Sequence, residues 1–308
     1  MKVKNILKFS LLMVVFAFFV AITACDKEDE APLASATLTS EVTNILQGDT
    51  AELVVDITGG VPPYGFRYSD GVESYYELGI EQTPHIIKVT PDSTRTYTAE
   101  AVGTYYRNVG TASGSATIEV TPVQYVLDQT FTGVNSGFLH GTNGWQAKSD
   151  EIQIKTDDGS WDRRGFYEFD ASQITTVEQY NKYTFSFWLV KSHGQGVNAG
   201  LGAMEVKGYV GEIDNSWTWN TQPGLDVLID GYTQQFTAVS QDMQIEFKGD
   251  ITSIVHAALA SPSKKFTLRV IENVNGEGNG GFYYIGGTSW WKAEQRPAVG
   301  VLLRRPID

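Results

Sequence analysis

Tyr-Thr-Phe-Ser-Phe-Trp-Leu-Val, residues 183–190, places a large apolar side chain at every second position. A period of two is typical of a β-strand with one buried face. Similar runs rich in Val, Ile, Thr, Tyr and Phe recur between Gly, Asn and Asp turns, at residues 51–57, 94–102, 116–120 and 266–272. No convincing helical period follows residue 25, although residues 172–180 and 252–259 are compatible with a helical turn or two. The sequence therefore predicts an all-β protein of the sandwich or jelly-roll kind.

The length and composition predict two domains. The chain has 308 residues, of which 42% are hydrophobic and 19% are charged, so it is neither short nor disordered. All seven Trp lie after residues 121–123, where the composition changes. We place the boundary there, between domains at 33–121 and 123–308. The formal net charge of −13 disfavours nucleic-acid binding, which needs a broad basic field.

The N-terminus has the pattern of an export signal. Lys2, Lys4 and Lys8 precede an apolar segment at 11–22, which is too short to span a bilayer. Ile-Thr-Ala-Cys follows, ending at the single cysteine, Cys25. This arrangement resembles a bacterial lipoprotein lipobox. The resemblance implies that residues 1–24 are a signal peptide and that Cys25 carries the lipid anchor in the outer membrane.

An acidic run, Asp-Lys-Glu-Asp-Glu, follows Cys25 directly. It resembles the surface-export signal of lipoproteins in Gram-negative bacteria that display glycan-capturing proteins. We therefore expect residues 25–32 to be an acidic tether on the cell exterior. The alternative is a solvated spacer with no address, since charge runs are usually just solvated.

The first domain carries a recognisable turn. Residues 59–71 read Gly-Gly-Val-Pro-Pro-Tyr-Gly-Phe-Arg-Tyr-Ser-Asp-Gly. They resemble the G-G-x-P-P-Y-x-x-x-W-S-x-G signature of Ig-like repeats in bacterial surface proteins, with Tyr68 in place of the usual Trp. Residues 89–98 fit the closing half of that pattern. Gly-Gly and Pro-Pro favour a tight turn and the aromatic alternation fills a core, so we expect an Ig-like β-sandwich that acts as a spacer.

The second domain carries four motifs in a fixed order: residues 163–172, 216–223, 266–270 with 282–286, and 296–301. This order resembles the DNRLRE-type domain, also called carbohydrate-binding module family 96. The resemblance implies a jelly-roll β-sandwich that binds a glycan, and suggests an acidic one such as alginate. The chain departs from the family in a Gly-rich insertion at 191–200 and in its altered terminal motif at 289–294.

Sugar binding in water needs flat aromatic faces, and uronates or sulfates also need Arg or Lys. Trp145 and Trp161 lie in turn-like contexts, where a Trp is expected to be exposed. Arg163 and Arg164 precede a strand, so one is expected to face the groove while the other pairs with Asp162 or Glu168. A third group follows at 290–292. The predicted glycan-binding residues are Trp145, Trp161, Arg163, Arg164, Trp290, Trp291 and Lys292.

Other tryptophans have structural interpretations. Trp188 lies in the alternating run at 183–190 and is expected to have a structural role. Trp217 and Trp219 share one face of an extended segment that is scaffold in the resembled family, and contact with ligand is the alternative. Trp290 and Trp291 would face opposite sides of a strand, so at most one would be core.

A cofactor is not predicted. A structural Ca²⁺ is the alternative, because Asp150, Glu151, Asp157 and Asp158 supply hard oxygen ligands. The four acids are equally well explained as turn formers.

The function predicted is capture of a polysaccharide by a surface lipoprotein, without catalysis. Its expected partners are a TonB-dependent transporter and a surface glycan-binding lipoprotein. The chain contains no G-x-S-x-G, H-E-x-x-H, P-loop or dinucleotide motif. Two alternatives stay open: an adhesin or structural lipoprotein that binds a protein, and a polysaccharide lyase or hydrolase.

Overall fold

The computed structural model describes six stretches of the chain: residues 33–104, 110–155, 162–193, 201–237, 244–272 and 282–307. The predicted signal peptide, Cys25, the acidic tether and Trp161 lie outside them. The described stretches are mainly β-strand, so the predicted all-β class is confirmed. They form two compact units, one ending at Val123 and taking in Pro306 and Ile307, the other spanning Gln124–Arg305. The Ig-like and jelly-roll assignments stay predictions.

The first unit consists of two sheets around one core. Its strands are β1 (Ser35–Thr39), β2 (Asn44–Leu46), β3 (Ala51–Thr58), β4 (Tyr64–Ser69), β5 (Ser74–Ile80), β6 (His85–Val89), β7 (Arg95–Thr104), β8 (Thr111–Ser113) and β9 (Ser115–Thr121). One sheet has the order β6-β3-β1-β8 and the other β2-β9-β7-β4-β5. Tyr64, Phe66 and Tyr68 on β4 are all buried, because alternate residues of a strand share a face.

The second unit contains one large sheet. Its strands are β10 (Val123–Thr132), β11 (Asn135–His140), β12 (Gly144–Ala147), β13 (Glu151–Lys155), β14 (Arg163–Asp170), β15 (Lys182–His193), β16 (Leu201–Val210), β17 (Ile229–Thr237), β18 (Ile245–Asp250), β19 (Lys265–Glu272), β20 (Phe282–Gly286) and β21 (Ala298–Pro306). The order is β10-β21-β15-β20-β13-β14-β19-β16-β17; β11 pairs with β12 and β14, and β18 pairs with β15.

The large sheet curls around a core of aliphatic and aromatic side chains. On β15, Tyr183, Phe185, Phe187 and Leu189 are buried, as the period of two predicts, while Trp188 is half-buried on the other face. Phe187 stacks on Phe247 of β18 with ring centroids 5.0 Å apart. The alternation at residues 183–190 therefore determines which face of β15 packs against the core.

Helical structure is sparse among the described residues. One α-helix, α1 (Thr252–Ala260), packs Ile254, Val255 and Ala258 into the core. Its first N–H, on Thr252, donates to the Asp250 carboxylate at 2.7 Å. Single 3₁₀ turns occur at Ala171–Gln173, Leu225–Val227 and Ala293–Gln295. Within the described part of the chain, no helix has the length and apolarity to cross a membrane.

Candidate functional site

Strand pairing brings basic side chains together at one end of the large sheet. Arg163 begins β14 and is in register with His140 on β11 and with Lys155 on β13. Lys155 is in turn in register with Phe282, the first residue of β20. Directly opposed residues of antiparallel strands project from the same face. Lys155 and Phe282 therefore share a face, as do Arg163 and His140, and the guanidinium carbon of Arg163 lies 4.6 Å from the centre of the Phe282 ring.

A second cross-strand pair lies next to the first. Lys191 on β15 is in register with Tyr284 on β20. Its Nζ is 5.3 Å from the centre of the Tyr284 ring, and the ring centres of Phe282 and Tyr284 are 4.8 Å apart. Lys191 is exposed and both rings are half-buried. We call Lys155, Arg163 and Lys191 the basic row.

The aromatic side chains continue along β20. Tyr283 and Ile285 point into the core, so Phe282, Tyr284 and Gly286 share the opposite face. A Cβ on Gly286 would lie 3.4 Å from Cγ of Trp290, which places the indole of Trp290 over this position. We call Phe282, Tyr284 and Trp290 the β20 face. It extends along the strand for about 13 Å, with the basic row at its Phe282 end.

Burial lowers the pKa values of Arg163 and of the neighbouring His140. The guanidinium carbon of Arg163 is 4.6 Å from the centre of the Phe282 ring, and burial lowers the pKa of Arg163 from its usual value, although Arg stays a cation at neutral pH. The pKa of His140 is also lowered, first by burial and then by Arg163. Its Nδ1 accepts backbone N–H bonds from Thr142 at 3.2 Å and Asn143 at 3.3 Å. The neutral imidazole is thus fixed beside the cation.

The pKa of His140 predicts a pH dependence. Because the folded state disfavours the imidazolium, the unfolded state binds more protons, and stability falls as the pH drops below about 6.5. Arg163→Gln removes one of the two causes, so the loss of stability between about pH 7.5 and pH 5.5 should become smaller. Urea unfolding followed by Trp fluorescence measures this difference. Lys182→Gln, an exposed cation elsewhere on the unit, is the control, and an equal difference in all three proteins would contradict the prediction.

Arg164 projects from the other face of β14. Its guanidinium carbon is 4.0 Å from the centre of the Trp219 ring. Burial lowers the pKa of Arg164, while Asp162 raises it by a smaller amount. Glu168, the other predicted partner, lies 3.5 Å from Lys265 instead. The structure therefore separates Arg163 from Arg164.

Trp145 packs next to the Arg164 side of β14. Its ring makes edge contacts with Trp217 at 6.2 Å and with Phe166 at 6.0 Å between centres. It also covers Gly137, where a Cβ would lie 2.5 Å from the indole. Trp217 is buried with Phe166 in a small apolar cluster. Trp145 is half-buried, and the described contacts of its ring are packing contacts.

Trp290, Trp291 and Lys292 lie in the loop after β20 rather than on a strand. Trp290 donates its indole N–H to Gln295 Oε1 at 3.0 Å. Trp291 is 71% exposed, and its ring centre is 6.0 Å from that of Trp290. Lys292 Nζ is 4.8 Å from the centre of the Trp291 ring. These three residues lie together at the Gly286 end of the β20 face.

Several members of this surface were not singled out from the sequence: Lys155, Lys191, Phe282 and Tyr284. Phe282 and Tyr284 carry the signal that could have found them, since alternate aromatic residues on a strand share a face. Arg269 on β19 is a buried cation outside the β20 face. It is 3% exposed, and its pKa is lowered to about 10 by burial and by Arg164.

Among the described residues, no group of three or more His, Cys, Asp or Glu side chains is arranged to hold a metal ion. Asp150 and Glu151 are among the described residues, whereas Asp157 and Asp158 are not.

A scan against protein-family models finds no family that matches the chain, and a search of curated proteins finds no matching relative.

Proposed function

We propose that the second unit captures an acidic polysaccharide along the β20 face. The observation that carries this proposal is the row formed by Phe282, Tyr284 and Trp290, with cations at its Phe282 end. Stacked or edge-on rings take the apolar C–H side of pyranose rings. A row of about 13 Å matches an extended chain of a few sugars better than a single small molecule.

The basic row favours an acidic chain over a neutral one. Arg163 offers a forked guanidinium and Lys191 an ammonium, and both are suited to carboxylate or sulfate. Lys191 is exposed, and its ammonium lies 5.3 Å from the centre of the Tyr284 ring. The net charge of −13 does not prevent this, because salt screens charges beyond about 8 Å. Charges close to the site therefore matter more than the net charge of the chain.

The lipobox at Cys25 and the acidic run behind it support a location for this activity. We propose that the protein is held in the outer membrane by a lipid on Cys25 and faces the exterior. Its partners there would be a TonB-dependent transporter and a surface glycan-binding lipoprotein. Many copies on one surface would retain a polymer that a single copy binds weakly.

Affinity electrophoresis of residues 33–308 tests the proposal. Gels containing alginate, pectin, glycosaminoglycans, starch, xylan or mannan are compared with a polysaccharide-free gel. We expect retardation in a uronate-containing gel. Tyr284→Ala and Arg163→Ala should each weaken it about tenfold, since each removes a ring or a charge-assisted contact worth about 1 kcal/mol or more.

The matched control is Lys182→Ala. Lys182 is an exposed cation 4.3 Å from the centre of the Tyr125 ring, so it reproduces the cation–ring contact away from the β20 face. Retardation that is equal in all variants, or absent from every gel, would overturn the proposal. Release of unsaturated products from the polysaccharide would replace it with the lyase alternative.

A further inference from the structure

The first unit contains an open cleft of about 430 Å³. Three rings and four charged side chains line most of it: Tyr68, Tyr75, Tyr97, Asp70, Lys88, Asp92 and Arg95. We call it the tyrosine cleft. Its volume falls in the range of small-molecule sites, roughly 300–1,000 Å³. A spacer has no need of such a cleft.

The rings form one wall. Tyr68 stacks on Tyr75 with centres 5.2 Å apart and planes inclined by 24°. Tyr97 lies 6.3 Å from Tyr68. Tyr68 and Tyr97 are fixed in the core at 5% exposure each, whereas Tyr75 is 37% exposed. Packing therefore holds Tyr68 and Tyr97 in place, while Tyr75 is accessible to a ligand.

The polar groups are held in place by the turn between β4 and β5. The Asp70 carboxylate accepts N–H bonds from Val72 at 2.9 Å and Glu73 at 2.8 Å, and a hydroxyl bond from Tyr75 at 3.3 Å. These backbone bonds lower the pKa of Asp70, so it is an anion at neutral pH. Burial raises the pKa of Tyr68 to about 12, so its phenol keeps its proton.

The charges of the cleft cancel. Asp70 and Asp92 are balanced by Lys88 and Arg95, which also line it. Arg95 Nε and Asp70 Oδ2 form an ion pair at 4.0 Å, which is too long for a direct hydrogen bond, so one hydroxyl placed beside the pair can contact both groups. The basic row, by contrast, is defined by Lys155, Arg163 and Lys191. A fixed carboxylate would repel a uronate, whereas sugar hydroxyls both donate and accept.

We propose that the tyrosine cleft binds a short neutral saccharide of one or two pyranose rings. Tyr75 stacks on the apolar face of the sugar, and Asp70 and Arg95 bond its hydroxyls. This site lies in a different unit from the β20 face and takes a different ligand. The first unit then contributes to glycan recognition in its own right.

The test is ¹H–¹⁵N NMR of residues 33–308 titrated with cellobiose, maltose, mannobiose and digalacturonate. We expect at least one neutral disaccharide to shift the amides of Val72 and Glu73 saturably at concentrations up to about 20 mM, consistent with weak capture. Tyr75→Ala should weaken that binding about tenfold. Tyr76→Ala is the matched control, because Tyr76 is the next residue of β5, is 63% exposed and does not line the cleft.

No saturable shift with any neutral disaccharide would overturn the proposal, as would binding of digalacturonate alone. Equal binding by the Tyr75 and Tyr76 variants would overturn it too. Arg163→Ala separates the two sites: it should weaken polysaccharide retardation about tenfold and leave the Val72 and Glu73 shifts unchanged. A failure at one site therefore does not count against the other.

Discussion

Phe187→Ala is expected to destabilise the second unit by about 3–5 kcal/mol, enough to unfold a marginal domain. Phe187 is fully buried between Phe247, 5.0 Å away, and Phe185, 5.4 Å away between ring centres. Truncation removes a ring from a stacked set whose neighbours belong to two paired strands. The cavity cannot close without shifting β18 against β15.

Urea unfolding followed by Trp fluorescence measures this effect. All seven Trp lie after residue 122, so the signal reports on the second unit alone. Leu225→Ala is the control, because Leu225 is 73% exposed and its loss should change stability by less than about 0.5 kcal/mol. Phe187→Leu should fall between the two. Equal midpoints for the Phe187 and Leu225 variants would show that the stacked rings do not hold the sheet together.

The strand period was enough to predict the fold class. Tyr183, Phe185 and Phe187 are buried at the spacing that their sequence shows, and the same reasoning applies to β4 and β19. The helix at Thr252–Ala260 coincides with one of the two stretches compatible with helical turns. Local alternation is a local property, so a single sequence carries it.

The candidate site depended on pairing that no local pattern shows. Arg163 meets Lys155 and Phe282 because β14, β13 and β20 are neighbours in the sheet, although Phe282 is far away in the sequence. The same alternation that identifies a strand also separates Arg163 from Arg164. Arg163 and Arg164 therefore cannot both contact a ligand on one face of β14. Only the pairing of β14 with its neighbours shows which of the two lies near Phe282.

The turn-like contexts around the tryptophans were a weak guide to their surroundings. Trp145 was expected to be exposed, but Gly137 leaves a gap on β11 that the Trp145 indole fills. Trp290 and Trp291 lie in a loop, where both rings lie close together instead of alternating. A missing side chain on a neighbouring strand and the end of a strand are tertiary features, so the sequence around each Trp did not reveal them.

The two proposed sites divide recognition by charge. The β20 face combines rings with three cations, whereas the tyrosine cleft combines rings with balanced acids and bases. A polysaccharide with both acidic and neutral sugars could engage both units of one molecule. The two sites together would then hold the polysaccharide more tightly than either site does alone, provided that one polysaccharide molecule is long enough to reach both. The fold of the first unit therefore matters for recognition as well as for stability.

Gly110→Ala is expected to destabilise the first unit by about 3 kcal/mol or more, by a steric mechanism. A Cβ on Gly110 would overlap the carbonyl oxygen of Ala34, the group that accepts the N–H of Thr111 at 3.1 Å. That bond begins the parallel pairing of β1 with β8. Because the clash is with backbone, no side-chain rotation relieves it, and β8 must leave β1.

Hydrogen exchange of the full chain, read by mass spectrometry, follows this change. Peptides covering residues 34–39 and 111–113 should lose protection in the Gly110 variant, while those of the second unit should not. Gly65→Ala is the matched control, since its Cβ would meet only the flexible end of exposed Leu78 at 3.3 Å and the Glu77 carbonyl oxygen at 3.9 Å. Full protection in the Gly110 variant would mean that Ala34 yields without cost, and that β1 does not depend on β8 for its place in the sheet.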